Sequence, residues 1–163
     1  RQMCIRDRPS TLLVLSLSGN QIVDFDPSIA LPNSLQSLYL NNNQITTFNP
    51  SAIPSAIGIY LQQNQIVNFN PSIALPSNLQ YLYLNNNQIV SFNPSIPLPN
   101  SLQQLQISNN QMTTAGYTAS EPWANAMSVI PGRGYVYIYS NLDSACATTL
   151  YSILVSKGWY VNC

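Results

Sequence analysis

One asparagine recurs along the chain at nearly constant spacing. The series is Asn20, Asn43, Asn64, Asn87 and Asn110, with intervals of 23, 21, 23 and 23 residues. The segment LQSLYLNNNQITTF (Leu35 to Phe48) returns as LQYLYLNNNQIVSF (Leu79 to Phe92). Apolar residues hold fixed offsets before each Asn: Leu12, Leu15, Leu17; Leu35, Leu38, Leu40; Ala56, Ile59, Leu61; Leu79, Leu82, Leu84; Leu102, Leu105, Ile107. Ile22, Ile45, Ile66, Ile89 or Met112 follows each Asn, and then Phe25, Phe48, Phe69 or Phe92, until Ala115 breaks the series. A self-similar period of this length constrains the fold more than any other feature, because each unit is too small to bury its own apolar face.

The LxL core of each copy alternates with period two, as a half-buried strand does. Stacked copies share one continuous core, and the strands run parallel because each follows a full coil of chain. The pattern LxxLxLxxNxIxxF resembles the leucine-rich repeat, in five copies from Thr11 to Ala115. The resemblance implies an α/β repeat solenoid, a horseshoe with a parallel β-sheet on its concave face and short 3-10 or irregular convex turns. It also implies that the recurrent Asn is structural. Stacked amides at Asn20, Asn43, Asn64, Asn87, Asn110 and, in a sixth strand, Asn141 would form a ladder with the backbone of adjacent turns. Without such partners a buried amide costs about 1–3 kcal/mol.

The return segments carry Asp26-Pro27-Ser28-Ile29, Asn49-Pro50-Ser51, Asn70-Pro71-Ser72-Ile73 and Asn93-Pro94-Ser95-Ile96. An Asx cap followed by Pro at the first helical position starts a helix. A second proline (Pro32, Pro54, Pro76 or Pro99) stops it within a turn. Each return is therefore expected to hold one short 3-10 turn. Ile29, Ile73, Ile96 and Leu31, Leu75, Leu98 are expected to point inward. The third copy is two residues short, read as a tightened convex loop. The Asn-Pro-Ser triplets are not glycosylation sequons, because the middle residue is Pro.

Both ends depart from the repeat. The first eight residues, RQMCIRDR, hold four of the chain's ten charges. They resemble translated sequencing-adapter sequence, and residues 1–10 are set apart as a non-native or disordered tail without function. The run Leu12-Leu13-Val14-Leu15 after basic residues imitates a secretory signal, but it fits the repeat template. Beyond Ala115, residues 116–163 read as a divergent repeat or cap. Ser120-Glu121-Pro122 offers a helix start, and Tyr135–Tyr139 alternates as a strand. Asp143 or Ser144 can cap a second helix whose apolar face is Cys146, Leu150, Ile153 and Leu154. Lys157 and Gly158 suit its end, and Trp159–Cys163 forms another strand, completing a β-α-β repeat. In such a unit Cys146 and Cys163 fall on one side, so they can form a disulfide; buried free thiols are the alternative. A chain that stops inside a strand and begins without a polar cap reads as a fragment of a larger protein, with its first-repeat edge exposed.

Composition narrows the function. Charged residues make up 6% of the chain, His is absent and net charge is zero. Polar positions are filled instead by 20 Asn, 13 Gln and 20 Ser. Absent His removes Ser-His, Cys-His and His-metal chemistry. Zero net charge argues against nucleic acid, and no apolar run spans a membrane. Asp24 and Asp26 lie together, yet Thr47/Asn49, Asn68/Asn70 and Ser91/Asn93 replace them in later copies, so they read as repeat variants with Asp26 as a cap. No cofactor, metal or catalytic pair is assigned, and the chain is not read as an enzyme.

The outward face of the strands remains. It carries Tyr39, Tyr60, Tyr81, Tyr83, Tyr135, Tyr137 and Tyr139, seven of ten tyrosines. Asn41, Gln62, Asn85, Gln104, Gln106 and Ser108 flank them as exposed polar positions. Rigid phenols with adaptable amides make a recognition surface, although cross-strand Tyr pairing can equally just stabilise the sheet. The expected function is protein–protein recognition through this concave sheet. The alternatives are a carbohydrate- or surface-adhesion segment, or a structural spacer, of a larger bacterial or phage protein. An extracellular or cell-surface setting is favoured over the cytoplasm.

Overall fold

The computed structural model describes residues 11–25, 31–48, 53, 55–70, 74–130 and 132–163. The tail expected at 1–10 lies outside the described residues, as do Asp26, Ile29 and Ile73. The elements are β1 (Val14–Ser16), β2 (Asp24–Phe25), β3 (Ser37–Tyr39), β4 (Thr47–Phe48), β5 (Gly58–Tyr60), β6 (Tyr81–Tyr83), β7 (Gln104–Gln106), α1 (Thr114–Ala126), β8 (Gly134–Tyr137), α2 (Thr149–Ser156) and β9 (Trp159–Asn162).

Seven strands form one parallel sheet in the order β1-β3-β5-β6-β7-β8-β9, and β2 pairs with β4 in a small second sheet. The register is constant: Leu15, Leu38, Ile59, Leu82, Leu105, Val136 and Val161 align across the sheet. From Leu38 to Val136 this row has no exposed surface, since each strand is sealed by neighbours on both sides. Each short strand is thus one rung of a solenoid, an α/β leucine-rich-repeat architecture. Leu15 and Leu17 are only half-buried, because among the described residues β1 pairs on one side only.

Two side-chain columns run beside the sheet. In the first, Asn43, Asn64, Asn87 and Asn110 are each buried. The Asn64 amide donates to Leu61 O of its own turn at 3.0 Å and to Leu40 O of the previous one at 3.0 Å. Its Oδ1 accepts from Ile45 N at 2.9 Å. Asn43, Asn87 and Asn110 repeat the pattern. Asn141 extends it, donating to Ile138 O and accepting from Met112 N. Asn20 is exposed, and among the described residues its side chain bonds within its own turn. In the second column Phe25, Phe48, Phe69 and Phe92 stack at 5.8–6.3 Å. Where Ala115 breaks the phenylalanine series, Trp123 of α1 closes the stack edge-on against Phe92 at 4.8 Å.

Several sequence expectations are corrected. The return segment from Asn93 to Pro99 is described throughout and holds a bend, not a 3-10 turn. Leu31, Leu75 and Leu98 are buried as expected, but Ile96 is only half-buried. The second prolines have another use. Pro32, Pro76 and Pro99 carbonyls each accept from the Leu three residues on (3.0–3.1 Å), which turns the chain into the next strand. Helix α1 begins at Thr114 rather than near Ser120, because Thr113 caps it through Gly116 N and Asp143 takes both Thr114 N and Oγ1. Pro122 lies inside that helix. Asp143 therefore caps α1, not α2. Helix α2 starts at Thr149 with Thr148 as a cap that makes no side-chain bond, and Cys146 lies in the loop before it.

Candidate functional site

The sheet face opposite the core presents three rows. One is Ser16, Tyr39, Tyr60, Tyr83, Gln106, Tyr137, Asn162; a second is Val14, Ser37, Gly58, Tyr81, Gln104, Tyr135, Tyr160. The third follows the strands: Ser18, Asn41, Gln62, Asn85, Ser108 and Tyr139. No position in these rows carries a charge.

Period-two alternation puts these side chains outward, and the uniform register brings them into contact. Tyr39 and Tyr60 stack face to face, centroids 4.4 Å apart and planes 9° from parallel. Tyr83 meets Tyr60 edge-on at 5.0 Å. Gly58 makes room for the Tyr60 ring: a Cβ there would lie 2.8–3.0 Å from Tyr60 Cε2, Oη and Cζ. Burial pushes the Tyr60 phenol up to about 12, aided by Tyr39 and Tyr83, so it stays protonated and able to donate across the physiological range. Burial also raises Tyr83, with a smaller contribution from Tyr137 across β7.

The structure divides the expected tyrosines into two groups. Tyr39, Tyr60, Tyr81 and Tyr83 are half-buried on β3, β5 and β6. Tyr135, Tyr137 and Tyr139 lie beyond β7, whose Gln104 and Gln106 separate the groups. Tyr135 and Tyr139 are exposed. Ser108 departs from its expectation: it is buried, a short side chain lying in register between Asn85 and Tyr139. Gln62 Oε1, Asn85 Oδ1 and Ser108 Oγ, adjacent in the third row, are buried without hydrogen-bond partners among the described residues.

Sequence reasoning missed two residues of the second group. Tyr160 pairs with Tyr135 on β9, rings 5.4 Å apart, and is 61% exposed. The alternation in Trp159-Tyr160-Val161 carried that signal. Tyr151 of α2 lines an open depression together with Tyr135, Tyr137 and Tyr160, and nothing local to it marked it. A disulfide joins Cys146 to Cys163, Cα atoms 5.5 Å apart, at the wall of this depression.

Among the described residues Asp24 and Asp143 each bond to the fold. Asp24 accepts from Thr47 Oγ1 of the next repeat at 2.8 Å, and Asp143 caps α1. The two N–H and O–H bonds from Thr114 hold Asp143 below the usual carboxylate range. Among the described residues no group of three or more His, Cys, Asp or Glu side chains is placed to hold a metal, and no helix is long and apolar enough to cross a membrane.

Comparison with known families agrees with the repeat geometry. A model described as "Leucine Rich repeats (2 copies)" matches residues 10–53, and one described as "Leucine Rich Repeat" matches residues 78–99. Leucine-rich repeats generally mediate protein–protein interaction. No curated protein matches the chain. With repeats matched at residues 10–53 and 78–99, and with seven strands in one parallel sheet, the chain carries leucine-rich repeats stacked as a solenoid.

Proposed function

We propose that the chain is a non-catalytic protein-recognition module whose contact surface is the concave sheet face. The observation that carries this reading is the uncharged Tyr39–Tyr60–Tyr83 column, flanked by Asn41, Gln62 and Asn85. Interface hot spots are enriched in Tyr, and rigid phenols bury area at low entropic cost while neighbouring amides adapt. The ring geometry favours protein over glycan. A sugar packs on open ring faces, and the Tyr39–Tyr60 stack closes one face of each ring.

The test is a substitution on the face alone. The Tyr39→Ala, Tyr60→Ala, Tyr83→Ala triple variant is compared with the native chain against a protein captured by the native chain, by surface plasmon resonance. Affinity is expected to fall at least tenfold, since interface hot spots each contribute about 2 kcal/mol or more. Unchanged affinity in a folded variant would falsify the reading.

A further inference from the structure

One place on the concave face has no side chain. In the row Val14, Ser37, Gly58, Tyr81, Gln104, Tyr135, Tyr160 the third rung carries Gly58. Glycine inside a strand gives up packing and costs backbone entropy, so it marks a bulge, a bend or a close approach. The backbone does not require it here. Gly19, Gly132, Gly134 and Gly158 have positive φ, whereas Gly58 is a regular strand residue in register with Ser37 and Tyr81. What meets Gly58 is the far end of the Tyr60 ring. A Cβ would stand 2.8 Å from Cε2, 2.9 Å from Oη and 3.0 Å from Cζ. Side chains two apart on a strand start about 6–7 Å from each other, so the ring leans back along β5 and lies over the glycine. In that pose Tyr60 is the middle ring of three, face to face with Tyr39 at 4.4 Å and edge-on to Tyr83 at 5.0 Å.

We infer that Gly58 is the positioning residue of the recognition surface: its missing side chain lets Tyr60 lie against the sheet and so holds the Tyr39, Tyr60 and Tyr83 rings in one pose before a partner arrives. This rests on the protein-recognition reading and adds to it a residue that need not touch the partner. A methyl group at position 58 and this ring pose cannot coexist, because carbon atoms in contact prefer about 3.5–4.0 Å. The ring must yield rather than the strand, since the atoms in the way are the end of a rotatable side chain and Ala is unstrained in extended backbone. Tyr60 makes both ring contacts, so its displacement undoes both. Rings fixed beforehand spare the ordering cost that mobile side chains pay on binding. The Tyr60 phenol reports the pose: burial, with Tyr39, Tyr83 and Tyr81 as neighbours, pushes it up to about 12.

The experiment introduces Gly58→Ala into the full chain, with Ser37→Ala in the same row of the neighbouring rung as the control. Nuclear Overhauser contacts between the Tyr39 and Tyr60 rings are expected to vanish in Gly58→Ala and to persist in Ser37→Ala. Absorbance titration should show Tyr60 returning toward pH 10 while Tyr117 still ionises near 12. Affinity for the protein captured by the native chain is expected to fall about fivefold or more in Gly58→Ala. In a Tyr60→Ala background the same substitution should change affinity by less than about twofold, because the ring it acts through is gone. Should Gly58→Ala fail to fold, the cycle is read in Tm instead: the added Cβ is tolerated once Tyr60→Ala has removed the ring. The inference is overturned by ring contacts that survive Gly58→Ala, by an unchanged affinity once those contacts are lost, or by equal losses of affinity or Tm with and without Tyr60. Surviving contacts remove the role of Gly58 alone. Unchanged affinity in the Tyr39/Tyr60/Tyr83 variant removes the recognition reading itself.

Discussion

The residue before each ladder asparagine has a backbone that most side chains resist. Asn42, Gln63, Asn86, Asn109 and Ser140 have φ between 52° and 58°, in the left-handed region. That region costs an ordinary L-residue about 1–2 kcal/mol, and Asn tolerates it best after Gly. Gln63 is the anomaly among three asparagines, so Gln63→Asn is expected to stabilise by about 0.5–1 kcal/mol in urea denaturation. Arg133 is a second misfit: it takes the place of the first leucine in the sixth repeat. It is 5% exposed, donates to Ser128 O (3.2 Å) and Pro99 O (3.4 Å), lies 5.0 Å above the Trp159 ring and leaves Nε without a partner. Burial lowers its pKa. Among the described residues this buried charge is bonded to carbonyls and to no carboxylate, so it is weakly compensated; Arg133→Leu should match or exceed native stability, whereas Arg133→Ala should lose about 2 kcal/mol or more to the cavity. Thermal unfolding of the two variants separates them. Two phenols link stability to pH. Burial raises Tyr60 and Tyr117 to about 12, so both are neutral in the folded chain when the unfolded chain ionises near pH 10. The stability they contribute is whole below pH 10 and lost as pH climbs toward 12. Absorbance titration should show these two ionising last, with Tm falling over the same interval.

At the scale of elements, α1 decides where the regular repeats end. It packs so closely on the fourth repeat that a Cβ at Gly116 would fall 2.0 Å from Val90 O. Ser120 Oγ takes the Phe92 N–H at 2.8 Å and gives its own proton to Gly116 O, so the helix satisfies a backbone group that another repeat would have paired. Trp123 ends the phenylalanine stack from the same helix. Gly116→Ala must therefore push the helix off the solenoid, and a loss of more than about 2 kcal/mol is expected in chemical denaturation, with the near-ultraviolet signal of Trp123 changed. The sequence showed the strand positions clearly because period-two alternation is local. It misled on α1 because Ser120-Glu121-Pro122 is a good local start, while the caps in use, Thr113 and Asp143, include one residue 29 positions from its partner Thr114.

For the whole molecule, the two ends of the sheet differ. Leu13 and Val14 are each 51% exposed at the β1 end, with Val23 at 48% nearby. Among the described residues β1 pairs on one side only, and a strand edge of this kind beside exposed apolar side chains is a template for association. Sedimentation of the 163-residue chain is expected to show self-association that Val14→Lys weakens; a single monomeric species at all concentrations would contradict this. The repeat, the parallel strands, the inward leucines and the outward tyrosines were all legible in the sequence. Each depends on spacing within one repeat, and stacking copies that spacing from rung to rung. What only the tertiary structure decided lies where the period fails. The division of the tyrosines by Gln104 and Gln106, the entry of Tyr151 and Tyr160 beside Tyr135, the burial of Ser108 and the transfer of Asp143 to α1 all join residues that no period relates. Those contacts depend on how the irregular C-terminal segment folds back on the last regular rung.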